Sequence, residues 1–317
     1  MRSGRRRATV AALGAAATAV ALSCHTSLAS QSEIEGYRAR RGTLVVAETL
    51  PARPHGRYAA QRVRLTSSTG LVATGWLVRP AGDSGCYPAA LLQDGREENS
   101  GVIGRLPADY GNVVVLSLDY PPEIPYDIQL RDVLLHAHRL TSAAQKIPSL
   151  FGLGAEYLAR RGDVDSTRIT MAATSFAVPF ATIAAAVDPR FHNVALVYGA
   201  GDLPAVLAAN LSLRPSFLRR PAAWLAMRPF ARFAPERFIG RIAPRPIVMV
   251  NGIDDPQMPV EAVRRLYAAA RPPKTLIWLR TGHLMPTDSA LIRALVDTAL
   301  DRLPALHEPA GPPRCAR

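Results

Sequence analysis

Ser175, Asp255 and His283 are far apart in the chain, yet they are the residue types that nucleophilic acyl transfer needs. A serine hydroxyl becomes a good nucleophile only when an imidazole takes its proton. That imidazole in turn needs a carboxylate to hold its tautomer and stabilise its charged form. Each of the three follows a compact apolar run of strand type. Ser175 directly follows "RITMAAT", Asp255 lies in "NGIDDPQMP" after "RPIVMV", and His283 lies in "RTGHLMP" after "TLIWL". In open α/β sheets, ligands and catalytic groups collect beyond the carboxyl ends of such strands. Around Ser175 the residues two places either side are Ala173 and Ala177. A tight strand-to-helix turn requires small side chains there. Pro179 would fall in the first helical turn, where its missing N–H has no intrahelical partner.

Other readings stand beside these. Ser175 could be an ordinary turn serine, Asp255 a helix-capping acid and His283 a surface loop residue. Asp254 competes with Asp255 as the acid. His136 and His138 are two apart on a helical pattern and point in different directions, a poor metal pair. His192 stands at a strand entrance, and Cys86 precedes a strand with no evident base. No zinc, phosphate-loop or dinucleotide fingerprint occurs, so neither metal nor cofactor is expected.

The elements that must position these residues alternate. "QRVRLTS" and "GWLVRP" read as an antiparallel hairpin. "AALLQ" and "NVVVLSLDY" are buried strands, the second an almost continuous apolar run suited to a sheet covered on both faces. "DIQLRDVLLHAHRLTSAAQ" and "SLFGLGAEYLARRG" have helical spacing. Four further strand runs follow, "RITMAAT", "NVALVYGA", "RPIVMVNG" and "TLIWLR", with helices such as "PVEAVRRLYAAA" and "DSALIRALVDTALDRL". Strand and helix in series predict a mainly parallel sheet with helices on both faces. Residues 202–240 separate two strands by more than a simple crossover needs and are expected to form a helical cap over the catalytic edge, with Trp224, Phe230 and Phe233 shaping an acyl pocket; the alternative is a crossover helix with a long surface excursion. Residues 30–60 are expected to be an N-terminal arm, 61–306 the main domain and 307–317 a flexible tail.

From about Arg62 to Leu303 the chain resembles the α/β-hydrolase superfamily, and within it the dienelactone-hydrolase and acetyl-esterase group. "PIVMVNGIDDPQMPVEAVRRLYAAA" is similar to that group's late strand, acid loop and helix, with Gly252, Asp255 and Pro259 in register. "GDVDSTRITMAATSFA" resembles its run into the nucleophile elbow, and "TGH" its histidine loop. The resemblance implies an α/β-hydrolase fold with the order Ser175, Asp255, His283 as a catalytic triad. It also implies oxyanion donors from the backbone N–H groups of Phe176 and Arg96, the latter in "QDGREENSG". Two departures stand out. Alanines replace the elbow glycines, and Asp94 replaces a histidine beside the oxyanion loop, an unfavourable charge unless it points away or pairs, with Arg96 for instance.

Composition suits a globular domain with a sizeable core: 317 residues, 48% hydrophobic and 20% charged. The net charge of +13 is almost all arginine, since Lys146 and Lys274 are the only lysines. The arginines are scattered as pairs beside apolar helix residues, with no aromatic interleaving, so no nucleic-acid partner is expected. "MRSGRRR" followed by "ATVAALGAAATAVAL" and the small residues Ser27 and Ala29 reads as an export signal over 1–29. "ALSC" at Cys24 offers a lipidation alternative, and membrane contact is expected only in that case. An exported chain permits pairing of Cys86 with Cys315, which two cysteines alone do not establish. The expected activity is hydrolysis of a small-molecule carboxylic ester. The alternatives are a serine peptidase on the same fold and a hydrolase-like protein that binds without turnover.

Overall fold

The computed structural model describes residues 27–82, 85–95, 99–107, 109–125, 127–285, 288–303 and 314–315. Among these residues ten strands form one sheet: β1 (Leu44–Thr49), β2 (Arg53–His55), β3 (Tyr58–Ser67), β4 (Val72–Pro80), β5 (Tyr87–Gln93), β6 (Val114–Leu118), β7 (Val164–Thr174), β8 (Asn193–Val197), β9 (Ile247–Gly252) and β10 (Lys274–Leu279). Their order is β1-β3-β4-β6-β5-β7-β8-β9-β10, with β2 paired to β3. The pairs from β6 through β5, β7, β8 and β9 to β10 are parallel. The pairs at the β1 edge, up to and including β4 with β6, are antiparallel. The central strands β6, β8 and β9 are buried along their whole length. That is why they read as unbroken apolar runs rather than alternating ones.

Nine helices flank the sheet among the described residues: α1 (Gln31–Arg41), α2 (Leu130–Leu135), α3 (Ala137–Ala159), α4 (Val178–Val187), α5 (Leu203–Asn210), α6 (Arg219–Met227), α7 (Glu236–Ile239), α8 (Val260–Ala269) and α9 (Ser289–Arg302). Because side chains alternate along a strand, each strand feeds two different cores. Ile169 and Met171 of β7 join Leu91, Leu116 and Leu196 in the large core beneath α3 and α4. On the opposite face there are two smaller clusters. Ala195, Val197 and Val250 pack with Leu295 of α9. Tyr58, Val78 and Val115 pack with Ile103 of the 3₁₀ helix Asn99–Arg105.

The predicted strands and helices from residue 61 onward are present, and "DIQLRDVLLHAHRLTSAAQ" with its continuation becomes α2 and the long α3. Residues 30–60 are more than an arm. Ser30 caps α1 in a capping box with Glu33. Ser149 then donates to the Tyr37 carbonyl at 3.1 Å and ties α1 to α3. β1 and β2 extend the sheet itself. Ala29 is fully buried, and its N–H donates to the Arg237 carbonyl at 2.8 Å.

Most of the expected tail lies outside the described residues. Arg314 and Cys315 do not hang free: Cys315 forms a β-bridge with Asp165 and a disulfide with Cys86. Residues 1–26 of the expected export signal, including Cys24, also lie outside the described residues.

Candidate active site

β7 stops at Thr174 because the next residue turns the chain sharply. Ser175 has φ +47°, in the left-handed region. A non-glycine residue held there costs about 1–3 kcal/mol, and such strain persists only where the surroundings over-determine it. One 3₁₀ turn, Ser175–Ala177, leads into α4, whose first turn holds Pro179. Ala173 and Ala177 have no exposed surface. Both belong to the large core, so strand and helix meet with no space for longer side chains.

The hydroxyl of Ser175 lies 3.3 Å from His283 Nε2. On the other side of the ring, His283 Nδ1–H donates to Asp255 Oδ2 at 2.7 Å. The Asp255 side chain is fully buried and that of His283 is 12% exposed. Asp255 Oδ1 accepts from the N–H groups of Gln257 at 2.7 Å and Met258 at 3.3 Å. Both carboxylate oxygens are therefore satisfied, as a buried charge demands. Asp254 is exposed, and its N–H donates to the Thr281 carbonyl at 3.2 Å.

Tyr198 was not singled out in the sequence. It directly follows β8 with φ +50° and sets its ring edge-on to His283, the centroids 5.3 Å apart. Its hydroxyl is 2.7 Å from that of Thr281. Burial pushes its pKa up, with the Asp255 charge adding to the rise against the Thr281 hydrogen bond, so the phenol stays neutral beside the imidazole. The only sequence signal was its position at the end of a parallel strand.

Phe176 directly follows the serine, and its ring stands between those of Tyr120, 5.5 Å away, and Phe180, 5.4 Å away. Arg96 lies outside the described residues. Asp94 takes the Thr174 hydroxyl on its carboxylate, and its carbonyl accepts from Tyr120 at 2.5 Å. The carboxylate is thus held by a hydroxyl at the end of the elbow strand.

Beside Ser175 and His283 is a cavity of about 330 Å³ whose lining also includes Asp94, Gly95 and Gln257. The segment 202–240 is helical, as expected, but Trp224, Phe230 and Phe233 are not among the lining residues. Phe233 is buried with its ring 5.9 Å from Phe180, which places it on the α4 side of the sheet, while Trp224 is 57% exposed. Among the described residues, no three His, Cys, Asp or Glu side chains converge as a metal site would require.

No family model and no curated protein matches the sequence. Solved structures do. An acetyl xylan esterase from Paenibacillus sp. R4 superimposes with a TM-score of 0.63 at 16% identity, over 86% of this chain and 96% of that one. Acetyl xylan esterase 1 from Thermoanaerobacterium sp. JW/SL YS485 gives 0.62 at 15% identity, over 89% and 96%. The α/β hydrolase GrgF from Penicillium sp. sh18 gives 0.55 at 18%, over 77% and 98%. At these identities the likeness establishes the fold: the chain has the α/β-hydrolase architecture that its sequence resembles.

Proposed function

We propose that the chain is an exported serine hydrolase that cleaves small-molecule carboxylic esters through an acyl-enzyme. The observation that carries this reading is the continuous hydrogen-bonded series from Ser175 through His283 to the buried Asp255. Ser175 Oγ adds to the ester carbonyl carbon while its proton passes to His283 Nε2. Asp255 holds the imidazole with its proton on Nδ1 and stabilises the imidazolium. The N–H of Phe176 and that of Arg96 receive the developing oxyanion. The carbon–oxygen bond to the alcohol then breaks, and His283 returns the proton to the leaving oxygen. Water enters in place of the alcohol, gives its proton to His283 and releases the acid, which restores Ser175.

Two features support export: the amino-terminal basic and apolar segment, and a Cys86–Cys315 disulfide of the kind that persists in oxidising compartments. Because Ala29 is engaged by Arg237, a cut upstream of residue 29 would keep that contact, and sequencing the mature amino terminus reads its position.

A fluorophosphonate probe tests the chemistry. The folded protein should label, Ser175→Ala should not, and release of p-nitrophenol from p-nitrophenyl acetate should fall with it. Failure of the folded parent both to label and to hydrolyse any ester would favour a binding protein on a hydrolase scaffold. Hydrolysis that survives Ser175→Ala would place the chemistry elsewhere.

A further inference from the structure

The sheet is filled unequally on its two faces. The α3/α4 face carries one continuous core, whereas the opposite face carries two clusters, one around β8, β9 and α9 and one around β4, β6 and the 3₁₀ helix 99–105. The cavity at Ser175 lies between them, over β5 and β7. Its floor is made of small residues on adjacent strands. Ala90 pairs in register with Thr170, and Ala172 pairs with Ala195. Ala90 sits in the middle of β5 and Ala172 two residues from the end of β7, both in the interior of a ten-stranded sheet, yet neither is fully buried. Leucine or isoleucine at these positions would close such a gap, and leaving it open forfeits packing that interiors otherwise make.

We infer that this cavity is the acyl pocket and that it takes a straight aliphatic chain of medium length, about eight to twelve carbons, with Ala90, Ala172 and Ala195 setting the limit. The inference rests on the serine-hydrolase reading of the site. The lining runs from Ser175 and Thr174 back along β7 through Ala172 to Thr170. Five residues of strand correspond to roughly 16 Å. An extended chain advances roughly 1.3 Å per carbon given ordinary C–C bonds, so this depth accommodates about twelve. The walls beyond the mouth are mainly apolar, with Val102, Val113, Val115, Val197 and Leu295 among them, and Arg105, Tyr110 and Thr170 add a few polar atoms. The volume lies at the lower end of the ordinary range for small-molecule sites, as a narrow chain requires. The acyl group is the part of the substrate that belongs here. It remains bonded to Ser175 through both chemical steps, whereas the alcohol must leave past His283 and be replaced by water.

The test uses p-nitrophenyl esters from acetate to palmitate, a series of alkyl acetates, and decanoic acid titrated calorimetrically. The specificity constant kcat/KM should rise at least about tenfold from acetate to decanoate and fall again at palmitate. Lengthening the alcohol in the alkyl acetates should have little effect. In Ala172→Leu and Ala195→Leu, with thermal unfolding confirming a folded protein, the decanoate-to-acetate ratio of kcat/KM should drop at least about tenfold, and decanoic acid should bind correspondingly more weakly. The milder Ala195→Val should fall between parent and leucine variant. Acetate hydrolysis that is lost in Ser175→Ala but does not increase with acyl length would overturn the pocket while leaving the serine hydrolase intact. So would a chain-length preference that follows the alcohol, or variants with an unchanged ratio. Were no ester cleaved at all, absence of decanoic acid binding would still count against the pocket, and binding weakened by Ala172→Leu would support it.

Discussion

Gly252 lies so close to the histidine loop that a Cβ on it would sit 2.4 Å from the carbonyl oxygen of Thr281. Gly252 ends β9 and begins the acid loop, while Thr281 stands two residues before His283. The approach of these two backbones brings Asp255 within 2.7 Å of the imidazole. Gly252→Ala should therefore push the loops apart, cost about 2–3 kcal/mol and lower kcat far more than it raises KM. Thermal unfolding together with steady-state kinetics reads both effects. A variant with parental kcat would mean that the loops tolerate separation.

The choice of acid between two adjacent aspartates is decided by burial. Asp255→Asn should reduce kcat substantially, though about a hundredfold less than Ser175→Ala, because the hydroxyl and imidazole fail as a unit when either is lost. Asp254→Asn should be nearly silent, since its side chain faces solvent. Comparable losses from both substitutions would refute the assignment.

The elbow alanines make a sharper prediction. With Ala173 and Ala177 fully buried at the strand–helix contact, Ala177→Val should overpack it by about 1–3 kcal/mol and displace Ser175. Ala173→Gly and Ala177→Gly should retain or raise activity, with a loss of stability below about 1 kcal/mol from added backbone freedom. Chemical denaturation and ester turnover measured on the same samples separate the two effects. If valine proves harmless, the small-residue argument for this elbow fails.

Asp165 sets part of the acid response. Burial works to raise its pKa, but the Thr167 hydroxyl and N–H, Arg168 and the Arg314 N–H together hold it below the ordinary aspartate value of 3.8. A carboxyl depressed in the folded state contributes stability that is fully present above its unfolded value. That stability is lost as pH falls through the lower folded value. Unfolding monitored between about pH 2 and 7 should show this loss confined to the acid side below about pH 4. Asp165→Asn should flatten that limb, although it destabilises the protein at neutral pH by leaving Arg168 without its 2.8 Å partner. An acid limb identical in parent and variant would remove Asp165 from the account.

The Cys86–Cys315 bond closes a very long loop, its ends 229 positions apart in the chain. Cys315→Ser should lower stability by about 2–5 kcal/mol and loosen the contact of Arg314 with Asp165. Turnover at a temperature where the variant remains folded should stay close to the parent, because the bond lies at the start of β5 and β7, away from the carboxyl ends that carry Ser175. Mass spectrometry under denaturing, non-reducing conditions detects the bond directly, and free thiols in the parent would contradict it.

Much of this molecule was legible in one dimension. Buried strands announce themselves as apolar runs, so β5 to β10 and the helices between them could be read off residue by residue. The spacing of Asp255 from Gly252, and the small residues around Ser175, reflect contacts within one turn of the chain, and local contacts leave local patterns. The strand β1 did not announce itself, because five of its six residues are exposed and no alternation marks it. In the sequence it looks like part of an arm. What only the tertiary structure decided are the relationships that cross strands. Tyr198 against His283, Asp94 on Thr174 and Cys315 on Cys86 each join residues dozens to hundreds of positions apart. The cavity belongs to the same class. Ala90, Ala172 and Ala195 are unremarkable small residues in three separate runs, and only sheet register places them side by side on one face, where what they lack becomes a space. Residue types and their short-range spacing dictate which elements form and which side chains can react. The register of distant strands dictates which of those side chains meet, and where room is left between them.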